Sequence, residues 1–395
     1  MAAVEEIEKV SSGIDELLHE VQRIGGLPLQ RAETLPPGAY TSQAFFDLEV
    51  KHVFKAGWTC VAHVSQLPGK GDYLSLNWLG EQMVVVNDGA RIRVLSRVCL
   101  HRWAPICEGK GNTSTFVCPF HKWSYTLEGR LIGAPLMDQA ESFDPASCTL
   151  PEFRSEVVDG FVFVNVDGTA DPLGPAVADM SEALANYELD RLVAGSVLEY
   201  ECKFNWKIMV ETFMECYHHI GPHVDTFEPD FPAKISYVED SRRAWTRGFG
   251  VARPEVVPDV WDVGLPRFPK VNAKECEAFG LYLIYPFHML ATFPDRVVWF
   301  QAQPVGPDVT LLRCQQMLYP DTKALPDFPK MMEIQDKTFD VINLEDISVN
   351  EKQQIGAKSG FVKPGRLSHL EKAIWQLNQY VAHKITGTSR TLLHR

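Results

Sequence analysis

The chain has 395 residues, with 38 Lys and Arg against 51 Asp and Glu, giving a formal net charge of −13 at pH 7. Apolar residues make up 45% and charged residues 23%, which excludes a wholly disordered chain and allows about two or three domains. The acidic balance argues against a nucleic-acid partner, and no run of about 18 apolar residues offers itself as a membrane span.

At the N-terminus, Val4, Ile7, Val10, Ile14, Leu17, Leu18, Val21 and Ile24 recur at helical period, and Gly25-Gly26 ends the run. Segment 1–45 reads as a helical packing arm. Its polar face is acidic, which disfavours a membrane-surface helix, and Met1 to Glu8 lacks the basic stretch of a signal peptide. A cytoplasmic protein is the expectation. Segment 46–170 carries β signals: a strand-like run Gln82 to Val86, the hairpin turn Asn87-Asp88-Gly89, and turns at Glu128-Gly129 and Asp159-Gly160. It reads as a small all-β domain, with a boundary over 167–175.

Segment 171–395 mixes helix and strand. Asn205 to Ile220 reads as a helix, 251–270 as a long proline-rich loop, and 282–319 as an antiparallel meander broken at Pro294-Asp295 and Gly306-Pro307-Asp308. Residues 328–355 read as helical. Ser368 and Glu371 form a capping box before a last helix through Leu370, Ile374, Leu377 and Val381. The fold class expected is α+β: a small all-β domain and a larger domain in which helices flank an antiparallel sheet, in a helix-grip-like arrangement.

Nine cysteines, an odd number scattered through a large chain, do not read as a disulfide framework. Two groups of Cys and His suggest metals. Cys99-Leu-His101 is followed, after sixteen residues, by Cys118-Pro-Phe-His121. Two thiolates and two imidazoles suit a structural zinc, or a two-iron two-sulfur cluster with the cysteines on one iron and the histidines on the other. Zinc sites usually pair like with like. Here each loop supplies one Cys and one His, so each can straddle both irons, and a [2Fe–2S] cluster is the better fit.

The second group lies in Asn205-Trp206-Lys207 and the run from Glu211 to His223. On a continuous helix, Glu211, Glu215 and His218 would share a stripe about 60° wide. Gly221-Pro222 then breaks the helix, so that His223 can return beside His218. Two imidazoles and a carboxylate form the facial triad of non-haem Fe(II), with positions left open for O2 and substrate.

The two motifs together resemble the α (oxygenase) subunit of Rieske non-haem iron oxygenases, the aromatic-ring-hydroxylating dioxygenase and Rieske monooxygenase superfamily. The resemblance implies Cys99, His101, Cys118 and His121 as cluster ligands in a Rieske domain over 46–170. It implies His218 and His223 as iron ligands in a catalytic domain over 171–395, with Glu215 bridging toward a cluster histidine of the next subunit. Asp340, Glu345, Asp346 and Glu351 are candidates for the third iron ligand. The run Glu345-Asp346-Ile347 resembles the family's late helix and favours Asp346. Relatives usually have Gly where Lys122 stands, so the second cluster loop is expected to differ in conformation or contacts. Cys107 reads as a plain buried thiol, because Phe120 replaces the second cysteine of respiratory Rieske proteins. His219 has no motif role and reads as a core or supporting histidine.

The implied activity is a terminal oxygenase. It would use O2 and electrons from a ferredoxin or flavin reductase to hydroxylate or oxidatively demethylate a small organic, aromatic, substrate, as in aromatic hydrocarbon catabolism. A homotrimer is implied, with or without a small β subunit. Tyr282, Phe287 and His288 are the candidate pocket residues. The rival readings are a Rieske electron carrier with a non-catalytic second domain, and a zinc-stapled structural protein.

Overall fold

The structure, a computed structural model, describes residues 2–256 and 264–387, with side chains from residue 13 onward. Part of the loop expected over 251–270, and the side chains of Val4, Ile7 and Val10, lie outside the described residues. The chain divides into two compact units, one of residues 55–175 and 188–191, the other of 1–54, 176–187 and 192–395. Among the described residues no helix is long and apolar enough to cross a membrane.

The smaller unit is all-β around its metal motif. Seven antiparallel strands run in the order Thr59–His63, Phe161–Asn165, Glu152–Val158, Ile92–Ser96, Glu81–Asn87, Asp72–Trp78 and Lys110–Asn112. The Asn87-Asp88-Gly89 turn joins two neighbours in this sheet. Asp88 Oδ1 accepts the N–H groups of Ala90 and Arg91, each at 2.7 Å, and Gly89 sits at φ +95°. A second sheet of three short strands, Phe116–Val117, Ser124–Tyr125 and Leu131–Gly133, carries the second Cys-His loop. Val84, Val86, Leu95, Phe116, Tyr125 and Leu150 form an apolar core that also encloses Cys99 and Cys118. The cluster loops are therefore anchored from beneath by buried sulfur-bearing side chains.

The larger unit is built on a seven-stranded antiparallel sheet. Its order is Val193–Cys202, Val309–Leu318, Val297–Gly306, His288–Thr292, Ala278–Ile284, Trp245–Val251 and Tyr237–Val238. The four central strands are the expected meander. The helix Phe328–Ala357 packs on the first strand through Ser196 to Asp336 (2.6 Å) and Tyr200 to Asp340 (2.7 Å). The last helix, Lys372–Thr386, packs against the N-terminal helix Ala2–Gly25, and its Gln376 accepts from Thr246 at 2.7 Å. A Cβ on Gly25 would lie 2.2 Å from that of Ala382, so glycine lets the two helices approach. The Ser368–Glu371 capping box forms, on a short 3-10 turn that leads into the last helix.

The helix beginning at Trp206 is shorter than expected. Asn205 caps it, accepting from the Lys207 N–H at 3.0 Å, and it ends at Phe213; a separate 3-10 turn follows over Tyr217–Ile220. Glu211, Glu215 and His218 consequently do not share a helical stripe. Glu211 turns toward the N-terminal arm and accepts from Tyr40 Oη at 2.6 Å. Glu215 lies in the break between the two turns, where its Oε2 accepts the His218 backbone N–H at 3.0 Å.

Candidate active site

The two cluster loops close in the same way. In the first, the Trp103 N–H donates to the Cys99 carbonyl (3.0 Å) and the Cys99 N–H to Ala104 (2.9 Å). In the second, the Lys122 N–H donates to the Cys118 carbonyl (3.1 Å) and the Cys118 N–H to Trp123 (2.8 Å). Trp103 and Lys122 occupy the same place in their loops, and both have left-handed backbones, φ +59° and +63°. Lys122 thus holds a left-handed turn that glycine would favour.

The two loops bring their histidines together and share one buried core through their cysteines. Cys99 and Cys118 are buried, and the His101 and His121 rings lie 4.5 Å apart. His101 stacks on Trp123 at 4.9 Å, which fixes its ring plane. The Nδ1 atoms of both histidines are buried without a hydrogen-bond partner. Two orphaned imidazole nitrogens beside two buried sulfurs fit a [2Fe–2S] group, because an unsatisfied buried acceptor is costly unless something binds it. Tyr125 Oη lies 3.3 Å from Cys99 Sγ and accepts the Leu100 N–H at 3.0 Å, so the phenol braces the first cluster loop. Cys107 is only half-buried; burial nevertheless pushes its thiol up to about 11, and Arg97 works against that shift.

In the larger unit, His218, His223 and Asp346 bring one ligand atom each within 4.8 Å of one another. His218 Nε2 is 3.4 Å and His223 Nε2 2.9 Å from Asp346 Oδ1. The opposite ring nitrogens are each held by a glutamate: His218 Nδ1 by Glu215 Oε1 at 2.8 Å, and His223 Nδ1 by Glu345 Oε2 at 2.7 Å. Carboxylates behind both imidazoles leave the two Nε2 atoms turned inward as ligands. The donor set suits an Fe(II) facial triad. Burial raises the Asp346 carboxyl, but its bonds to the two histidines and their charge bring it down to about 2. Burial disfavours a charged His218, yet the Glu215 and Asp346 carboxylates lift it to about 10. This concentration of negative charge on neighbouring imidazoles is what a divalent cation satisfies.

Among the other candidates for the third ligand, Glu345 supports His223 and also accepts from Thr226 Oγ1 at 2.9 Å, while Asp340 accepts from Tyr200. His219 is buried, stacks on Phe227 at 5.2 Å, and donates from Nδ1 to the Phe231 carbonyl at 2.9 Å.

A cavity opens against the triad, with about 620 Å³ of space that includes part open to solvent. Six phenylalanines are among its walls: Phe213, Phe227, Phe279, Phe293, Phe300 and Phe339. Tyr282, Phe287 and His288 do not line it. The strand register pairs Leu281 with Ala291 on the cavity face, and places Tyr282 and His288 on the opposite face; Phe287 packs against Phe54 and Trp206. Phe339, Ile342, Asn343 and Asp346 sit at helical spacing, a signal that could have located one wall from the sequence.

The fold and the two sites define a two-domain iron oxygenase, and comparison with known proteins agrees. Residues 57–147 match the Rieske [2Fe-2S] domain, and residues 189–387 match the ring hydroxylating alpha subunit (catalytic domain). The chain belongs to the ring-hydroxylating α-subunit family of Rieske oxygenases. It is similar to the carnitine monooxygenase oxygenase subunit of Escherichia coli K12, at 29% identity over 86% of this chain and 88% of that one. It is similar to the glycine betaine monooxygenase oxygenase subunit of Chromohalobacter salexigens, at 27% identity over 86% and 82%. A crystal structure of the quaternary ammonium Rieske monooxygenase CntA superposes with a TM-score of 0.79 at 25% identity, over 92% of this chain and 98% of that one. The chain is thus a terminal oxygenase component, an oxidoreductase that uses O2, carries a Rieske [2Fe–2S] cluster and a mononuclear iron, and draws electrons from a reductase or ferredoxin.

Proposed function

We propose that this oxygenase hydroxylates a carbon attached to the nitrogen of an N-alkylated amine. The observation that carries the reading is the phenylalanine-walled cavity set directly against His218, His223 and Asp346. Aromatic faces attract organic cations, and the relatives described above are named for quaternary ammonium compounds. This departs from the aromatic substrate and aromatic hydrocarbon catabolism expected from the sequence.

In this reading Cys99, His101, Cys118 and His121 hold the cluster, and His218, His223 and Asp346 hold the iron. When bound, the cluster supplies single electrons and the iron activates O2. The protein's part is positional. Glu215 and Glu345 fix the two histidines through Nδ1, and the phenylalanine walls exclude water and orient one C–H bond. One oxygen atom of O2 enters that bond and the other leaves as water, with two electrons and two protons consumed. The N–C–OH carbon then loses its C–N bond, giving an aldehyde and a smaller amine.

The working form in this reading is a homotrimer in which Glu215 links an iron-bound imidazole to a cluster imidazole of the adjacent copy. Supporting it, Trp103 and Phe120 are exposed on the cluster loops, and Tyr217, Ile220 and Val224 are exposed beside the iron site. These are apolar surfaces that a copy-to-copy contact would cover. The division at residues 45 and 170 belongs to the same reading.

The test is turnover with a reductase, NADH and 18O2 on a trimethylammonium substrate. Aldehyde and amine formed in step with O2 consumption support the proposal. Oxygen consumed without C–N cleavage, alongside diol formation from an arene, would overturn it. Glu215→Gln is expected to keep both metals and the oligomer while slowing oxidation of the pre-reduced cluster.

A further inference from the structure

The charge of the cavity wall narrows the substrate beyond its amine group. None of the described residues lining the cavity is Lys or Arg. The two neutral polar groups on the wall are already engaged. Thr212 Oγ1 donates to Asn350 at 2.7 Å, and Asn343 Nδ2 donates to the Phe339 carbonyl at 2.9 Å. The remaining ionisable groups are the histidines and the carboxylates Glu215 and Asp346, and the histidine nitrogens that bond those acids are taken up by them. An anionic substrate group would therefore meet aromatic carbon, and its cationic partner would be the iron itself, whose open positions the reaction needs for O2.

The rings offer the opposite sign of interaction. Phe213 and Phe300 lie 4.9 Å apart, Phe300 and Phe339 5.7 Å, and Phe227 and Phe279 5.6 Å, all tilted or edge-on. Tilted rings present both faces and edges along the wall, and the faces favour a cation that has shed its water.

We infer that the substrate is an N-alkylated ammonium whose remainder is apolar and carries no carboxylate, so that zwitterions such as carnitine or glycine betaine are excluded from this cavity. The inference rests on the amine reading and sharpens it. Specificity then comes from two sources: attraction of the ammonium by the phenylalanine faces, and disfavour of carboxylates by a wall whose described residues include no Lys or Arg. Ile342, half-buried on the cavity side of the long helix, stands where a cationic side chain could have supplied the missing partner.

The test is calorimetric binding to the holoenzyme of three probes of similar size: butyltrimethylammonium, γ-butyrobetaine, and neutral butylbenzene. Butyltrimethylammonium should bind at least ~30-fold more tightly than γ-butyrobetaine, the ratio expected when a buried charge lacks its partner. In Ile342→Arg that ratio should shrink, and in Phe300→Leu the ammonium alone should weaken. If γ-butyrobetaine binds within about threefold of butyltrimethylammonium, or more tightly, the inference fails while the amine reading stands. If butylbenzene binds and neither ammonium does, the amine reading itself fails. Failure of all three probes to bind counts against both.

Discussion

Lys207 and Glu49 form an ion pair that is wholly cut off from water, with both side chains 0% exposed and Nζ 2.5 Å from Oε1. The ammonium also lies 5.1 Å from the Trp206 ring centre, 5.2 Å from Tyr40 and 5.5 Å from Phe45. The pair ties the short helix Gln43–Glu49 to the helix that presents Met209, Thr212 and Phe213 to the cavity. Burial raises the Glu49 carboxyl and lowers the Lys207 ammonium, and each partner opposes the other's shift. Lys207→Met fills the same space but strands a buried carboxylate, at a cost of about 3–5 kcal/mol. Glu49→Met with Lys207→Met removes both charges and should regain most of that loss, because paired buried charges are often replaceable by apolar groups. Urea unfolding of the four proteins of the double-mutant cycle measures the coupling. The loss in Lys207→Met should also diminish in acid, as Glu49 takes up a proton. A loss below about 1 kcal/mol, or a double variant no more stable than the single one, would refute the reasoning.

Three further predictions concern the two metal units. Lys122→Gly relieves a left-handed backbone and should stabilise the smaller unit by about 1 kcal/mol; destabilisation would show that the lysine side chain holds the loop. Burial pushes Glu211 up to about 7, against the pull of Tyr40 and Lys207, so its contribution to stability is full below about pH 4.5 and is lost as pH rises through 7. Glu211→Gln retains an acceptor for Tyr40 and cannot ionise; its stability should exceed wild type by up to ~3 kcal/mol at pH 8 and match it near pH 5, and an advantage independent of pH would contradict the account. Cys99→Ser or Cys118→Ser should abolish the Rieske EPR signal, and a full signal in either would remove that residue from the ligand set.

Both metal motifs were legible because their residues lie close in sequence. Cys99 and His101, Cys118 and His121, and His218 and His223 each fall within one loop, so spacing alone suggests shared chemistry. Asp346 lies far along the chain, and only the resemblance of its helix pointed to it. The helix expected over 205–220 is longer than the one that forms, because an apolar run with acids at i and i+4 satisfies helical period whether or not the helix continues. What ends it is tertiary: Glu211 is drawn to Tyr40, and Glu215 turns back to satisfy His218. The cavity wall is illegible in the sequence for a different reason. Residues 279–293 are apolar on both faces of a buried sheet, so period-two alternation carries no information about which face meets the iron. Tyr282 and His288 look like functional residues by type, whereas register assigns the cavity to Phe279 and Leu281. The left-handed Lys122 was likewise invisible, since residue type argues against that conformation.

The central claim is that one chain holds two iron centres of different kinds, the second depending on a carboxylate distant in sequence. Iron and acid-labile sulfide analysis of wild type and Asp346→Ala, read beside the Rieske EPR signal, tests it most directly. Wild type should hold about three irons and about two sulfides per chain, and Asp346→Ala about two of each, with the EPR signal intact and turnover gone. A variant that retains the third iron and turns over would contradict the account.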